Sequence, residues 1–298
     1  MIGKGGTMVD TLFGFTDKTV VITGSSSGMG HAACELLLKL GALVYTVNRR
    51  QIDLPVHRAI QADLGSREAI DQVVSQLPDK IDALFQCQGM ASVEGNELQV
   101  QKVNFLSQRF LTELLLPRMV DNGSVTLISS TGGYGWDKNY ETIRQILECT
   151  TYEECVQWYE AHPEALTRSY PFSKQCLNAF VQRMAFDPRV IDRKIRINAI
   201  CPGNTITGLT DEFNRNASPT GNPEEGKAVI ERIFLSRWNG RWATAEEMGH
   251  PLVAIGSQIF SYMNGQLIYL DYGLASTWDI DALEGQQLGG FIKPQATS

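Results

Sequence analysis

Tyr170 and Lys174 stand four residues apart in the segment YPFSK. On a helix that spacing puts both side chains on one face. A tyrosine hydroxyl has a reference pKa of about 10 and is a poor base at neutral pH. A neighbouring ammonium favours the phenolate and draws that pKa down. So tuned, the phenol can give a proton to a developing alkoxide or take one from an alcohol. The same spacing recurs at Tyr134 and Lys138, but Gly132, Gly133 and Gly135 surround that pair, and glycine disfavours helix. Tyr170 instead opens the amphipathic stretch SKQCLNAFVQRMAF, which leads directly to IRINAI.

A second group of residues is suited to phosphate. The segment KTVVITGSSSGMG places Gly24, Gly28, Met29 and Gly30 after an apolar strand and before a helix expected to open at His31. A turn without Cβ atoms lets the backbone approach a pyrophosphate, whose charge the helix N-terminal amides meet. Ser25, Ser26 and Ser27 add hydroxyls. An ordinary strand–helix turn is the competing reading; the strand–helix alternation around the motif supports phosphate binding. At the end of the second strand stand Asn48, Arg49 and Arg50. An acidic residue there would bind an adenosine 2′-hydroxyl and repel a 2′-phosphate. Asn48 is neutral, and Arg49 can pair a phosphate bidentately. These residues point to NADP(H), with NAD(H) also admissible; the alternative is that both arginines merely face solvent. Asp63 and Leu64, after the third strand, fall either near an adenine or at a helix N-cap.

These groups need a frame. The 298 residues are 43% hydrophobic and 20% charged, with a formal net charge of -7. That charge speaks against a nucleic-acid partner, which requires Lys and Arg on phosphates. No apolar run approaches the roughly 18 residues of a membrane span, and the N-terminus has no signal-peptide core. No membrane partner and a cytoplasmic location are expected, with Met8 a candidate start. The cysteines (Cys34, Cys87, Cys149, Cys155, Cys176 and Cys201) are scattered without a CxxC pair, and the four histidines form no ligand spacing. Reduced thiols and no metal site are expected.

Short β-branched runs occur at 19–23, 43–47, 57–61, 81–87, 124–129, 195–200 and 266–270, with helical patterns between them, as at 31–40, 67–77 and 102–119. Strands joined by helices imply parallel pairing with right-handed crossovers. The expected fold is α/β: a doubly wound Rossmann-type sheet of about seven strands with helices on both faces. It would form one domain over 18–298, after an N-terminal extension at 1–17. Segments 131–169 and 205–242 break the rhythm, and long excursions usually cover a site or make an interface.

TGSSSGMG, Asn104 within QKVNFL, Ser129-Ser130 at a strand end, YPFSK and RINAICPGNTIT occur in that order between Lys18 and Gly273. In this the chain resembles the short-chain dehydrogenase/reductase family, in its TGxxxGxG branch. The resemblance implies hydride exchange between NADP(H) and a secondary alcohol or ketone. It implies that Tyr170 is the acid/base, that Lys174 holds the ribose hydroxyls while tuning Tyr170, and that Ser130 hydrogen-bonds the substrate oxygen. Asn104 would support a water relay behind Lys174. Pro202, Gly203 and Thr205 would border the nicotinamide, and Thr207 the diphosphate. Ser130 and Tyr170 would then both donate to an oxygen gaining negative charge, while the cofactor carries the redox chemistry. The plainer alternatives are a strand-end hydroxyl for Ser130 and an ordinary helix residue for Asn104. Residues 86–89 read QCQG where the family shows an NNAG-like segment: Gly89 keeps the backbone approach, while Gln88 is bulky at a cofactor contact. Asp271-Tyr272-Gly273 replaces the usual Asp-Gly-Gly.

Ser130 and Tyr170 are forty positions apart, more than in ordinary family members. The extra segment has helical periodicity in Ile143, Ile146 and Leu147, then Val156, Trp158 and Tyr159. A long insertion here resembles the bacterial 3α-hydroxysteroid dehydrogenase/carbonyl reductase group. That resemblance implies a hydroxysteroid substrate, bile-acid-like, or another bulky apolar ketone. Phe213, Phe234, Trp238 and Trp242 could form an apolar lid, or pack the core or an interface. Helices flanking the family's active site commonly pair subunits, which implies a homo-oligomer, dimer or tetramer. The alternatives are a carbonyl reductase for non-steroid ketones, a catalytically silent NADP(H)-sensing regulator, and an epimerase or dehydratase with retained cofactor. The intact Ser130, Tyr170 and Lys174 disfavour the regulator. The TGxxxGxG spacing and short C-terminal region disfavour the last.

Overall fold

Seven apolar runs become seven strands: β1 (Thr19–Thr23), β2 (Leu43–Asn48), β3 (Arg58–Gln61), β4 (Ile81–Gln86), β5 (Met119–Ile128), β6 (Arg196–Pro202) and β7 (Leu267–Leu270). The computed structural model describes residues 12–236 and 240–283. The strands form one sheet in the order β3-β2-β1-β4-β5-β6-β7, every pair parallel. Val21 pairs with Tyr45 on one side and Leu84 on the other. On β1, Val21 enters one core cluster, while Val20 and Ile22 enter a second. A strand apolar on both faces belongs in a parallel sheet covered on both sides. β5 starts earlier than its apolar run: Ile81 pairs with Met119, then the register shifts before Ala83 meets Ser124.

The helices are α1 (Gly28–Lys39), α2 (Arg67–Gln76), α3 (Glu97–Gln101), α4 (Ser107–Leu115), α5 (Tyr140–Glu148), α6 (Tyr152–Ala161), α7 (Ser169–Met184), α8 (Pro188–Ile191), α9 (Thr210–Ala217), α10 (Pro223–Ile230), α11 (Ala245–Gly256) and α12 (Leu274–Leu283). α1 starts at Gly28 rather than His31, so the glycine turn itself supplies the first helical residues. The expected helix at 102–119 is divided. A π turn, Lys102–Leu106, separates α3 from α4, and a 3-10 turn at Leu116–Arg118 leads into β5. Two causes are visible. Pro117 has no N–H to continue the ladder. Asn104 donates to Met90 O (3.0 Å) and accepts from Met90 N (2.8 Å), which pulls the middle of the segment toward the loop after β4.

Between Ser130 and Tyr170, α5 and α6 pack into the first core. Ile143, Ile146 and Leu147 are buried, followed by Tyr152, Cys155 and Tyr159; Val156 and Trp158 are only partly covered. The buried set of α6 has the i, i+3, i+7 spacing of one helix face. Thr151 and Glu154 form a reciprocal capping box at its start. Buried Arg109 closes the end of α5, donating to Ile146 O (2.9 Å) and Cys149 O (2.7 Å), and its charge is met by Glu113 at 3.1 Å. A charge is tolerated inside a protein only when paired in this way. All six cysteines are free thiols. Among the described residues, no helix is long and apolar enough to cross a membrane, and no cluster of three His, Cys, Asp or Glu could hold a metal ion.

Candidate active site

The sheet order reverses beside β1, opening a crevice beyond the carboxyl ends of β1 and β4. The turn after β1 fills its floor. Gly24 has φ +68°, and a Cβ there would fall 2.5 Å from the backbone N of Gln88. Gly28 has φ +59° and faces Thr207, whose Cβ lies 3.4 Å from where its own would be. Ser27 takes the N-cap position of α1 without a capping side-chain bond, and no acidic residue stands in the first turn. The positive end of α1 is therefore left to an anion.

A cleft of about 430 Å³ lies over this turn. Its walls include Gly24, Ser26, Ser27, Gly28, Met29, Gly30, Asn48, Arg49, Asp63, Leu64, Gln88, Gly89 and Thr207. Val47, Met90, Val93 and Glu212 also line it and were not singled out from sequence. The first three sit a few positions from motif residues, which is the signal that could have found them. Glu212 comes from α9, and only the folded chain brings it here.

Asn48 is buried and does more than end β2. Its Oδ1 accepts from Ser25 N (2.6 Å) and its Nδ2 donates to Ser25 Oγ (3.2 Å), so it braces the glycine turn. Arg49 is 59% exposed, with Asp63 at 3.9 Å. Asp63 accepts from Gly65 N at 3.0 Å. The N-cap of α2 is Ser66, which accepts from Ala69 N, so the capping alternative for Asp63 does not hold. The bulk of Gln88 is absorbed by polar neighbours. The Thr23 hydroxyl donates to its Oε1, and its Nε2 donates to Ser107 Oγ (3.0 Å) and Gln86 Oε1 (3.3 Å). Gln108 donates to both Gln88 O (3.2 Å) and Asn104 O (3.1 Å). Gly89 stays open, the nearest atom to an added Cβ being Asn104 Oδ1 at 3.6 Å.

Apart from Asn104 in the π turn, the remaining sequence-predicted residues gather at the ends of β5 and β6 and the start of α7; they are not part of the cleft walls. Ser130 caps a 3-10 turn, accepting from Gly132 N at 3.0 Å, and its side chain lies near the Tyr170 hydroxyl. The Tyr170 ring meets Phe213 edge-on, centroids 5.0 Å apart. Lys174 is 3% exposed. Its Nζ donates to Ile128 O (2.9 Å) and lies 5.7 Å from the Tyr170 ring centroid. Asn104 also reaches Ser173 Oγ at 3.4 Å. Gly203 packs against Asp271, and Thr205 Oγ1 donates to Gly203 O. Asp271 accepts from Gly273 N and Ala275 N at the start of α12. Asn104 joins the two groups through Met90, which lines the cleft.

The electrostatics differ from expectation. Burial raises the Tyr170 hydroxyl above its ordinary pKa, and the Ser130 side chain beside it only partly opposes this. Lys174 is pushed down to about 8 by burial, with the Cys201 and Cys87 thiols opposing. The ammonium is committed to a carbonyl above the ring, not to the phenol oxygen, so desolvation outweighs charge attraction in the protein alone.

Of the lid aromatics, Phe213 covers Tyr170. Trp242 donates to Glu231 Oε1 (3.0 Å) and Phe234 lies in the π turn Glu231–Leu235; Trp238 lies outside the described residues. Tyr134, of the rejected pair, precedes a 3-10 turn and bonds Asp279.

Residues 18–140 match the family model described as short chain dehydrogenase, and residues 159–275 the model described as enoyl-(acyl carrier protein) reductase. A coniferyl-alcohol dehydrogenase from Pseudomonas sp. (strain HR199 / DSM 7063) is 32% identical over 263 residues, covering 88% of this chain and 98% of that one. A meso-2,3-butanediol dehydrogenase from Serratia marcescens is 25% identical, covering 88% and 96%. A solved 3-alpha-hydroxysteroid dehydrogenase from Pseudomonas sp. B-0831, complexed with NADH, has a TM-score of 0.71 at 22% identity, covering 89% and 98%. The stretch between the two matched segments, 141–158, covers most of α5 and α6 and the turn between them. The order of the matched segments, and a relative aligned almost end to end, place this chain in the short-chain dehydrogenase/reductase family, as an NAD(P)-dependent oxidoreductase acting on CH–OH groups.

Proposed function

We propose that this chain interconverts a secondary alcohol and a ketone on a bulky apolar substrate of hydroxysteroid type, with NADP(H) preferred over NAD(H). The observation that carries the reading is the meeting of Ser130, Tyr170 and Lys174 beside the glycine-floored cleft. The cleft fits a dinucleotide: α1 has no capping side chain, and Gly24 and Gly28 leave its floor free of Cβ atoms. Ser26, Ser27 and Thr207 would hold the diphosphate, Asp63 and Leu64 the adenine, Arg49 a 2′-phosphate, and Pro202, Gly203 and Thr205 the nicotinamide. When bound, the nicotinamide supplies or accepts the hydride. Tyr170 gives a proton to the substrate oxygen in reduction and takes it in oxidation, while Ser130 donates a second hydrogen bond to that oxygen. Lys174 orients the ribose and, freed from Ile128 O, brings positive charge toward the phenol. Asn104 holds the loop after β4 and the start of α7 in register, where a water relay to Lys174 would run.

The steroid reading is supported by the insertion and by Phe213, which puts an apolar wall against Tyr170. A second reading, an aryl-substituted alcohol, is favoured by the coniferyl-alcohol dehydrogenase relative. We read the chain as one catalytic unit over 18–298 and as a homo-oligomer, which sedimentation tests directly. Ketosteroids, bile acids and cinnamyl-type alcohols should be assayed with both cofactors by the absorbance of reduced nicotinamide. Steroid turnover with a higher kcat/KM for NADP(H) is the expected result. Turnover confined to the cinnamyl alcohols gives the second reading, and cofactor binding without any turnover gives the silent regulator.

A further inference from the structure

The insertion does more than lengthen the chain beside the site. Tyr159 on α6 is fully buried, and its hydroxyl donates to Gln101 Oε1 at 3.1 Å. Gln101, also fully buried, is the last residue of α3. Its Nε2 donates to Ser169 O (2.7 Å) and Ser169 Oγ (2.9 Å), and Ser169 Oγ donates to Glu97 O (2.5 Å). Ser169 is the first residue of α7 and directly precedes Tyr170. The Tyr159 hydroxyl also lies near the thiol of Cys176, one half-turn beyond Lys174, and holds that thiol's pKa below where burial alone would put it. Its ring meets Phe172 edge-on at 6.4 Å. One phenol in the insertion thus meets α7 directly at Phe172, between Tyr170 and Lys174, and through Gln101 at Ser169, ahead of the pair. Every amide and hydroxyl in this chain is buried, so breaking one link strands its partner without water, which costs more than a surface bond.

We infer that Tyr159 and Gln101 are positioning residues: the insertion holds the start of α7 through the chain Tyr159–Gln101–Ser169, and so fixes the Tyr170 hydroxyl for proton exchange. This rests on the assignment of Tyr170 as acid/base. α7 has no side-chain cap of its own, Arg168 making none at its N-cap position. The carbonyl and hydroxyl of Ser169 are instead held from α3. Small displacements of a reacting group cost rate steeply, so a bond that holds the first residue of the helix is felt at the second.

The test uses Tyr159→Phe, which keeps the ring and removes the hydroxyl, and Gln101→Met, which keeps the volume. Each should lower kcat about tenfold, the loss of one buried hydrogen bond, while leaving cofactor Kd unchanged. Each should also speed amide exchange over residues 169–173, and the double variant should lose no more than either single one. Arg144→Ala, on the exposed face of the insertion, controls for general loosening and should leave kcat unchanged. Unchanged kcat in Tyr159→Phe, or an equal loss in Arg144→Ala, overturns the inference. The exchange measurement needs no turnover. If wild-type protein turned over none of the alcohols, the functional reading would fail. The bracing would then stand or fall on whether Tyr159→Phe accelerates exchange at 169–173.

Discussion

The two halves of the site are built on opposite terms. The cofactor half is open: an uncapped helix end, glycines without side chains, and Arg49 largely in solvent. The half proposed for proton exchange is more closed: Lys174 is buried, Tyr170 is half-buried with Phe213 edge-on against it, and burial moves both groups toward their neutral forms. An open anion site can exchange its ligand freely. A more sheltered one strengthens each interaction with a substrate oxygen, because local dielectric falls as water is excluded. The contrast teaches that the chain separates binding from chemistry by solvent access and links them through a few polar bridges such as Asn104 to Met90.

Four outcomes test that division. Tyr170→Phe removes the exchangeable proton from the closed half, and kcat should fall on the order of a thousandfold with cofactor Kd within about twofold. Retained turnover would move the chemistry elsewhere. Gly24→Ala attacks the open half, where a Cβ would strike the Gln88 backbone 2.5 Å away at a positive φ. A loss of roughly 3 kcal/mol in urea unfolding is expected, along with cofactor affinity; wild-type stability would mean the turn has slack.

Lys174→Met probes dryness. The folded ammonium titrates at about 8 rather than the usual 10.5. Between those values the unfolded chain holds a proton that the folded chain has released, so this residue's contribution to stability rises with pH across that window. Below it, both states are charged and the burial cost is constant. The stability of wild type relative to Lys174→Met should therefore improve from pH 8 to 10 by on the order of 2–3 kcal/mol. A flat difference would show that water reaches the amine. The smallest effect is Arg49→Ala, which should weaken NADPH about tenfold, as for one charge-assisted contact, and NADH within about twofold. Equal losses would remove the 2′-phosphate assignment.

The central strands were legible because β1, β4 and β6 are apolar runs buried on both faces, and the glycine turn because of the strand–helix alternation around it. The partnerships were not. Residues 102–119 look like one amphipathic helix; the π turn arises from Asn104 bonding Met90, a contact between residues fourteen apart in sequence. The YPFSK spacing places Tyr170 and Lys174 on one face, yet spacing cannot weigh an ammonium's pull against the desolvation of the phenol. The structure resolves that in favour of burial. Gln88 reads as an obstruction until Thr23, Gln86 and Ser107 are seen around it. Tyr159, one apolar mark in a periodic pattern, is the residue whose hydroxyl reaches Gln101.

Asn48 has a consequence for how this protein can change. It stands at the end of β2, beside the proposed site for the adenosine ribose, and its amide also holds Ser25 at the bend of the glycine turn. A carboxylate in its place would keep the acceptor for the Ser25 amide and lose the donor to the hydroxyl. An acidic substitution therefore meets a mechanical constraint at this position, and the freer route for divergence runs through solvent-facing Arg49.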